Sequence, residues 1–201
     1  MQSAKTTFAA GLLSMAACVT GAGAIAAPVT GGSEGHHAAQ AQPQRDGARD
    51  FDWEIGRWRT QVRLLAKPLS GSQEWLEYEG TSDVRAMLDG QANLVELRVA
   101  GPSGRIEGLS LRLYEPQARQ WSLNYANIRD GLLTQPVYGG FRGGRGEFYG
   151  QERVDGRAVL VRFVITRPAP DTARFEQAFS GDGGLTWESN WIATDTRIVP
   201  E

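Results

Sequence analysis

Phe51-Asp52-Trp53-Glu54-Ile55-Gly56-Arg57-Trp58-Arg59-Thr60-Gln61-Val62-Arg63-Leu64 changes its hydrophobic period at Gly56. The apolar groups before Gly56 crowd together and predict one helical turn. After Gly56 the period is two. Trp58, Thr60, Val62 and Leu64 share one face, and Arg59, Gln61 and Arg63 the other. Side chains alternate across a strand, so this is the pattern of a half-buried antiparallel strand.

The same pattern recurs along the chain. Trp75 to Leu88 carries Leu76, Tyr78 and Val84 on one parity, with Gly80 read as a bulge. Leu94 to Val99 ends at the turn Gly101-Pro102-Ser103-Gly104. Ile106 to Tyr114 groups Leu109, Leu111 and Leu113. Gln120 to Ile128 groups Trp121, Leu123, Tyr125 and Asn127. Val137 to Phe141 and Gly146 to Arg153 flank Arg142-Gly143-Gly144-Arg145. Asp155-Gly156 is a tight-turn signal before Ala158 to Thr166. That segment is apolar on both parities except at Arg162. Ala173 to Phe179 and Trp187 to Ile198 complete the set. About ten strands with turns every 8–12 residues or so predict an all-β fold. The simplest topology is a single antiparallel up-and-down β-barrel, with a short helical turn before strand one. Closure removes the exposed edges of an open sheet. The barrel domain is expected over 51–198.

Residues 1–26 read as a secretory signal peptide. Lys5 supplies the charged start, an alanine-rich apolar run follows, and Ala24-Ile25-Ala26 is a small-x-small cleavage site. This predicts export to the periplasm or beyond. The alternative is a lipoprotein: Met15-Ala16-Ala17-Cys18 resembles a lipobox, and a lipid on Cys18 would be the only expected tie to a membrane. Residues 27–50 are rich in Gly, Ala, Gln, Pro and Ser and read as a disordered linker. His36 and His37 lie in it, and two adjacent ligands in a tether make a poor metal site. Without Lys5 the chain has 20 basic against 23 acidic side chains, a net charge of −3. That argues against nucleic acid or an anionic membrane surface as an electrostatic partner. The oligomeric state is open.

Two motifs stand out. Ser180-Gly181-Asp182-Gly183-Gly184-Leu185-Thr186-Trp187 fits the Asp-box pattern of sialidase propellers. A single copy in a short chain predicts a hairpin clasp: Asp and Ser cap turn amides and the glycines supply positive φ. Gly56-x-Trp58 resembles the G-x-W start of lipocalins, and Arg197 is placed to pack on the Trp from the last strand.

A wider resemblance includes these residues. Phe51 to Trp58, Gly108-Leu109-Ser110-Leu111-Arg112-Leu113-Tyr114, Arg119-Gln120-Trp121-Ser122, Gly146-Glu147-Phe148-Tyr149-Gly150 and Glu176 to Ser180 through Trp191 resemble a bacterial domain family of unknown function placed near the calycins. The resemblance covers 51–197 and implies a small-ligand barrel. It implies no activity. One calycin branch, the nitrobindins, holds haem through a histidine. Residues 51–197 contain neither histidine nor cysteine, so haem ligation of that kind is excluded and no cofactor is expected. Ser-His-Asp and Cys-His nucleophile systems and the usual zinc sites are excluded too.

The expected function is binding of a small apolar or aromatic molecule in the barrel, with no defined catalytic residue and no metal. By parity the expected lining residues are Trp58, Tyr78, Trp121, Tyr125, Phe175 and Trp191. Asn127, Arg162 and Gln177 are the expected polar handles. Two alternatives stand beside it. One is an enzyme using carboxylate, Tyr or Arg chemistry; Glu77, Glu79 and Glu176 are its sequence candidates, although alternate charges on a strand ordinarily face water. The other is a structural or partner-binding envelope protein with a filled barrel. A filled interior would exclude ligand binding, and a buried ionisable pair in a cavity would favour the enzyme.

Overall fold

A computed structural model describes residues 46–199. The signal peptide, Cys18, His36 and His37 lie outside the described residues. Among the described residues, ten strands follow a 3-10 helix at Asp52–Glu54: β1 Gly56–Leu65, β2 Trp75–Met87, β3 Ala92–Gly101, β4 Gly104–Glu115, β5 Gln120–Asn127, β6 Val137–Arg142, β7 Arg145–Val154, β8 Arg157–Ala169, β9 Thr172–Ser180 and β10 Glu188–Arg197. Each strand pairs antiparallel with its sequence neighbours, and β1 closes on β10 from Trp58↔Arg197 to Leu64↔Trp191. The barrel is therefore closed, up-and-down and free of edges, as the turn spacing predicted.

One end is plugged by the chain that precedes β1. Phe51 is buried against Trp121 (ring centroids 4.9 Å apart), Phe141 (5.0 Å) and Phe148 (5.9 Å). Residues 46–50, read from the sequence as the end of the tether, also pack on this end. The Trp121 Nε1–H donates to the Gly47 carbonyl at 2.9 Å, and Gly47 N–H donates to the Tyr114 hydroxyl at 3.2 Å. Gly56, Trp58 and Arg197 act together here. The Arg197 guanidinium lies 4.1 Å from the Trp58 ring centroid and donates through Nη1 to the Ile55 carbonyl at 2.9 Å and through Nη2 to that of Trp53. Trp58 Nε1–H donates to the Glu54 carbonyl at 2.7 Å. Gly56 has φ +133°, and a Cβ there would sit 2.7 Å from Arg197 Nη1. Glycine is thus required for its backbone angle, and any side chain there would press on the Arg197 guanidinium.

The sequence expectation for Gly80 needs correcting. The register of β2 runs unbroken through Gly80 on both sides, so there is no bulge. A Cβ at Gly80 would lie 2.0 Å from the Arg98 carbonyl, so the glycine permits a close backbone approach. The register shifts instead between Ser189 and Trp191 in β10 and between Thr166 and Ala169 in β8. The Asp-box is a local clasp, as expected. Asp182 accepts from the Thr186 amide (3.0 Å) and hydroxyl (2.6 Å), and Ser180 accepts from the Gly184 amide (2.8 Å). The Thr186 hydroxyl bond is the main reason the Asp182 carboxyl is held well below the usual carboxylate range.

Candidate functional site

The barrel encloses a cavity of about 360 Å³. Its floor is built on the plugged end. Thr60 of β1, Ser82 of β2 and Asp195 of β10 are all buried and face inward from adjacent strands. Thr60 Oγ1 donates to Asp195 Oδ1 and lies 2.6 Å from Ser82 Oγ. A hydroxyl has one proton, so whenever Asp195 is ionised and takes the Thr60 proton, the Ser82 hydroxyl donates to Thr60. Beside them Glu54 of the 3-10 helix pairs with Arg112 of β4, both side chains 4% exposed, with Nη2 to Oε1 at 3.2 Å. The Arg112 guanidinium is sandwiched between Phe51 (4.4 Å) and Phe175 (5.4 Å). Glu54 thus takes both terminal nitrogens of Arg112, while the buried Arg112 Nε–H has no hydrogen-bond partner among the described residues.

The walls above the floor are apolar: Val95 and Leu97 of β3, Phe163 of β8, Phe175 of β9, and Trp191 and Ala193 of β10. Toward the other end the lining becomes polar, with Tyr125, Asn127, Gln151, Glu152 and Gln177. The connection between β5 and β6 contributes Asp130, Leu132, Thr134 and Gln135. These two strands share only three residue pairs, Trp121↔Gly139 to Leu123↔Val137, so their seam is the barrel's shortest. Tyr125 owes its place to Gly108, where a Cβ would lie 2.4 Å from the phenol oxygen.

Burial sets the electrostatics. Asp195 has its carboxyl pushed up to about 7, first by desolvation and further by the Glu54 charge; Thr60 and Arg112 oppose the shift. Burial alone raises Glu152, and burial is the main cause raising the Tyr125 phenol.

Six of the nine residues expected to line the interior are brought together on this cavity: Trp58, Tyr125, Asn127, Phe175, Gln177 and Trp191. The expectation for the other three is corrected. Tyr78 faces inward but fills the core with Val62, Val99, Ile106 and Ala193. Trp121 also faces inward, yet it lies under the end plug against Phe51 and Tyr114. Arg162 points outward, because the cavity parity of β8 is that of Val161 and Phe163. Its guanidinium lies 4.6 Å from the Trp187 ring centroid, beneath the Asp-box clasp. Glu77 and Glu79 face solvent, where Arg63 (4.0 Å) and Gln61 (3.3 Å) approach them. Glu176 sits on the outer face, accepting from Ser189 at 2.5 Å and Arg174 at 3.1 Å.

Sequence reasoning missed the floor. Asp195 shares its parity with Trp191, which alternation had already turned inward, so it was within reach of the same argument. Arg112 was not, because Leu109, Leu111 and Leu113 occupy the opposite parity of β4. In the folded barrel Ser110 and Arg112 face in, while Leu109 is 43% and Leu113 38% exposed.

The fold and the cavity together define the class: a closed ten-stranded antiparallel barrel with an aromatic-walled interior cavity open at one end. No family model matches the chain. No curated protein sequence matches it either. Among solved structures it is similar to an S-type phycobiliprotein lyase, CPES, from Guillardia theta, with 11% identity and a TM-score of 0.51 over 79% of this chain and 100% of that one. It is also similar to a de novo designed fluorescence-activating β-barrel, with 13% identity and a TM-score of 0.40 over 77% of this chain and 100% of that one. The first likeness establishes a shared fold.

Proposed function

We propose that this is an exported, calycin-like barrel that binds a small apolar or aromatic molecule in its interior. The observation that carries the reading is the interior cavity of about 360 Å³, open at one end. It combines apolar and aromatic walls with a few placed polar groups, the usual make-up of a small-molecule site. The calycin reading draws support from Gly56, Trp58 and Arg197 acting as one unit at the barrel end. Export rests on the sequence of residues 1–26, with lipid attachment at Cys18 as the alternative route to the same compartment.

Acid–base catalysis is a second reading, favoured by Asp195, whose carboxyl titrates near neutrality within the cavity. Glu54 and Arg112 are committed to each other, so the one cation lining the cavity is already neutralised and cannot offset charge developing on a substrate. Holding a ligand therefore fits the site better than transforming one. Native mass spectrometry of the protein purified from its own host tests this. A bound small molecule that leaves on denaturation is the expected result. Absence of any adduct, with no shift in melting temperature across saturating lipids, pigments and aromatic metabolites, would overturn the binding claim.

A further inference from the structure

The cavity's charges are unbalanced. Four carboxylates line it, Glu54, Asp130, Glu152 and Asp195, and Arg112 is the one cation among the lining residues. Glu54 neutralises Arg112 through two hydrogen bonds. That leaves Asp195 at the floor, Glu152 half-buried on the wall and Asp130 at the exposed mouth without a cation in the cavity. Among the described residues, the one side-chain hydrogen-bond partner of Asp195 is Thr60, a neutral donor. An unpaired carboxylate in an apolar enclosure is expensive to keep, and such groups are ordinarily paired.

The walls agree with this charge. Guanidinium groups already cover the Trp58 and Phe175 rings. Trp191, Phe163 and Tyr125 line the same space, and no arginine among the described residues stacks on them. A ring face carries negative electrostatic potential, so aromatic walls and a carboxylate floor attract the same kind of group.

We propose that the ligand is an organic cation, an apolar or aromatic amine whose ammonium group reaches Asp195 while its body lies against Phe163, Phe175 and Trp191. This rests on the ligand-binding reading above and names the chemistry of that same site. The ammonium supplies the missing counter-charge, and its desolvation is offset by the carboxylate and the ring faces. An anionic ligand would meet the opposite: repulsion from Asp195 and Glu152, with Arg112 already committed.

Calorimetric titration with three probes of one shape tests the proposal: naphthylethylamine, naphthylethanol and naphthylacetate, at about pH 8 where Asp195 is ionised. The amine is expected to bind at least about tenfold more tightly than the alcohol, and the acid most weakly. Asp195→Asn should erase the advantage of the amine over the alcohol, and Glu152→Gln should reduce it. Alcohol or acid binding as tightly as the amine to the wild-type protein would overturn the cationic assignment and leave the cavity reading intact. Failure of all three probes to bind at saturation would overturn both.

Discussion

Asp195 is an acid placed where its ionised form is disfavoured, and the sign of its effect on stability follows. Its folded value near 7 exceeds the ordinary 3.8, so the folded state holds a proton that the unfolded state releases between these values. Its stabilising effect is therefore complete below about pH 4 and is lost as pH rises through about 7. The difference amounts to roughly 4 kcal/mol, given about 1.4 kcal/mol per pKa unit. Asp195→Asn should remove this contribution, since the amide keeps a hydrogen bond to Thr60 and carries no charge. Urea unfolding at about pH 5 and pH 8 checks it. The wild-type protein should lose more stability between the two than the variant does; equal losses would show that Asp195 ionises without hindrance. The neighbouring pair obeys a different rule. Arg112→Met leaves Glu54 buried and unpaired, an expected loss of roughly 3–5 kcal/mol. Adding Glu54→Gln should restore much of it, because the uncompensated charge goes with it. A double-mutant cycle by denaturant unfolding would expose additive losses if the pair were not coupled.

At the scale of the strand, alternation explains much and fails for definable reasons. β1, β2 and β5 obey the simple rule: Trp58, Val62, Tyr78, Val84, Trp121 and Leu123 all turn inward and are buried. The rule breaks in β4, where the leucines lie outside and Ser110 and Arg112 inside. Hydrophobicity picks the inner face only when that face is a dry core, and a strand lining a polar floor inverts the signal. β8 hides its inner face differently, being apolar on both parities, because its outer face, with Leu160 and Arg162, lies against the Asp-box clasp at Gly184 and Trp187. Glycines were the other illegible feature. Gly139 and Gly140 are adjacent in β6 and look alike in the sequence, yet a Cβ at Gly139 would meet the Glu147 carbonyl at 1.9 Å while one at Gly140 meets open space. Gly139→Ala should cost about 3 kcal/mol through backbone displacement. Gly140→Ala should stay within about 0.5 kcal/mol of wild type. Thermal unfolding of both variants checks the contrast, and similar losses would refute the close-approach explanation.

At the scale of the whole molecule, closure ties stability and binding to one set of groups. Every strand of the barrel is paired on both sides, so the interior is filled by side chains and by the β5–β6 connection at its mouth. The end plug commits Trp58, Arg197, Glu54 and Arg112 to structure, which leaves Asp195 as the floor group available to a ligand. Binding of a cation must then be linked to pH. The charged groups acting on Asp195 are Glu54 from the 3-10 helix and Arg112 from β4; Thr60 from β1 is its neutral donor. Below about pH 7 a proton occupies the carboxylate that an ammonium needs, while an alkylamine, like lysine, stays charged up to about pH 10. Affinity for naphthylethylamine should therefore rise from pH 5 to pH 7, by at most about tenfold per unit, and level off above. Calorimetry in buffers of different ionisation enthalpy should detect proton release at the acidic end and none at about pH 8.5. The ligand's effect on melting should follow the same course, since an excess of about 100 Kd adds roughly 2.7 kcal/mol to stability. In Asp195→Asn both the pH slope and the proton release should vanish. A flat or falling affinity across this range in the wild-type protein would place the ligand's charge somewhere other than the floor.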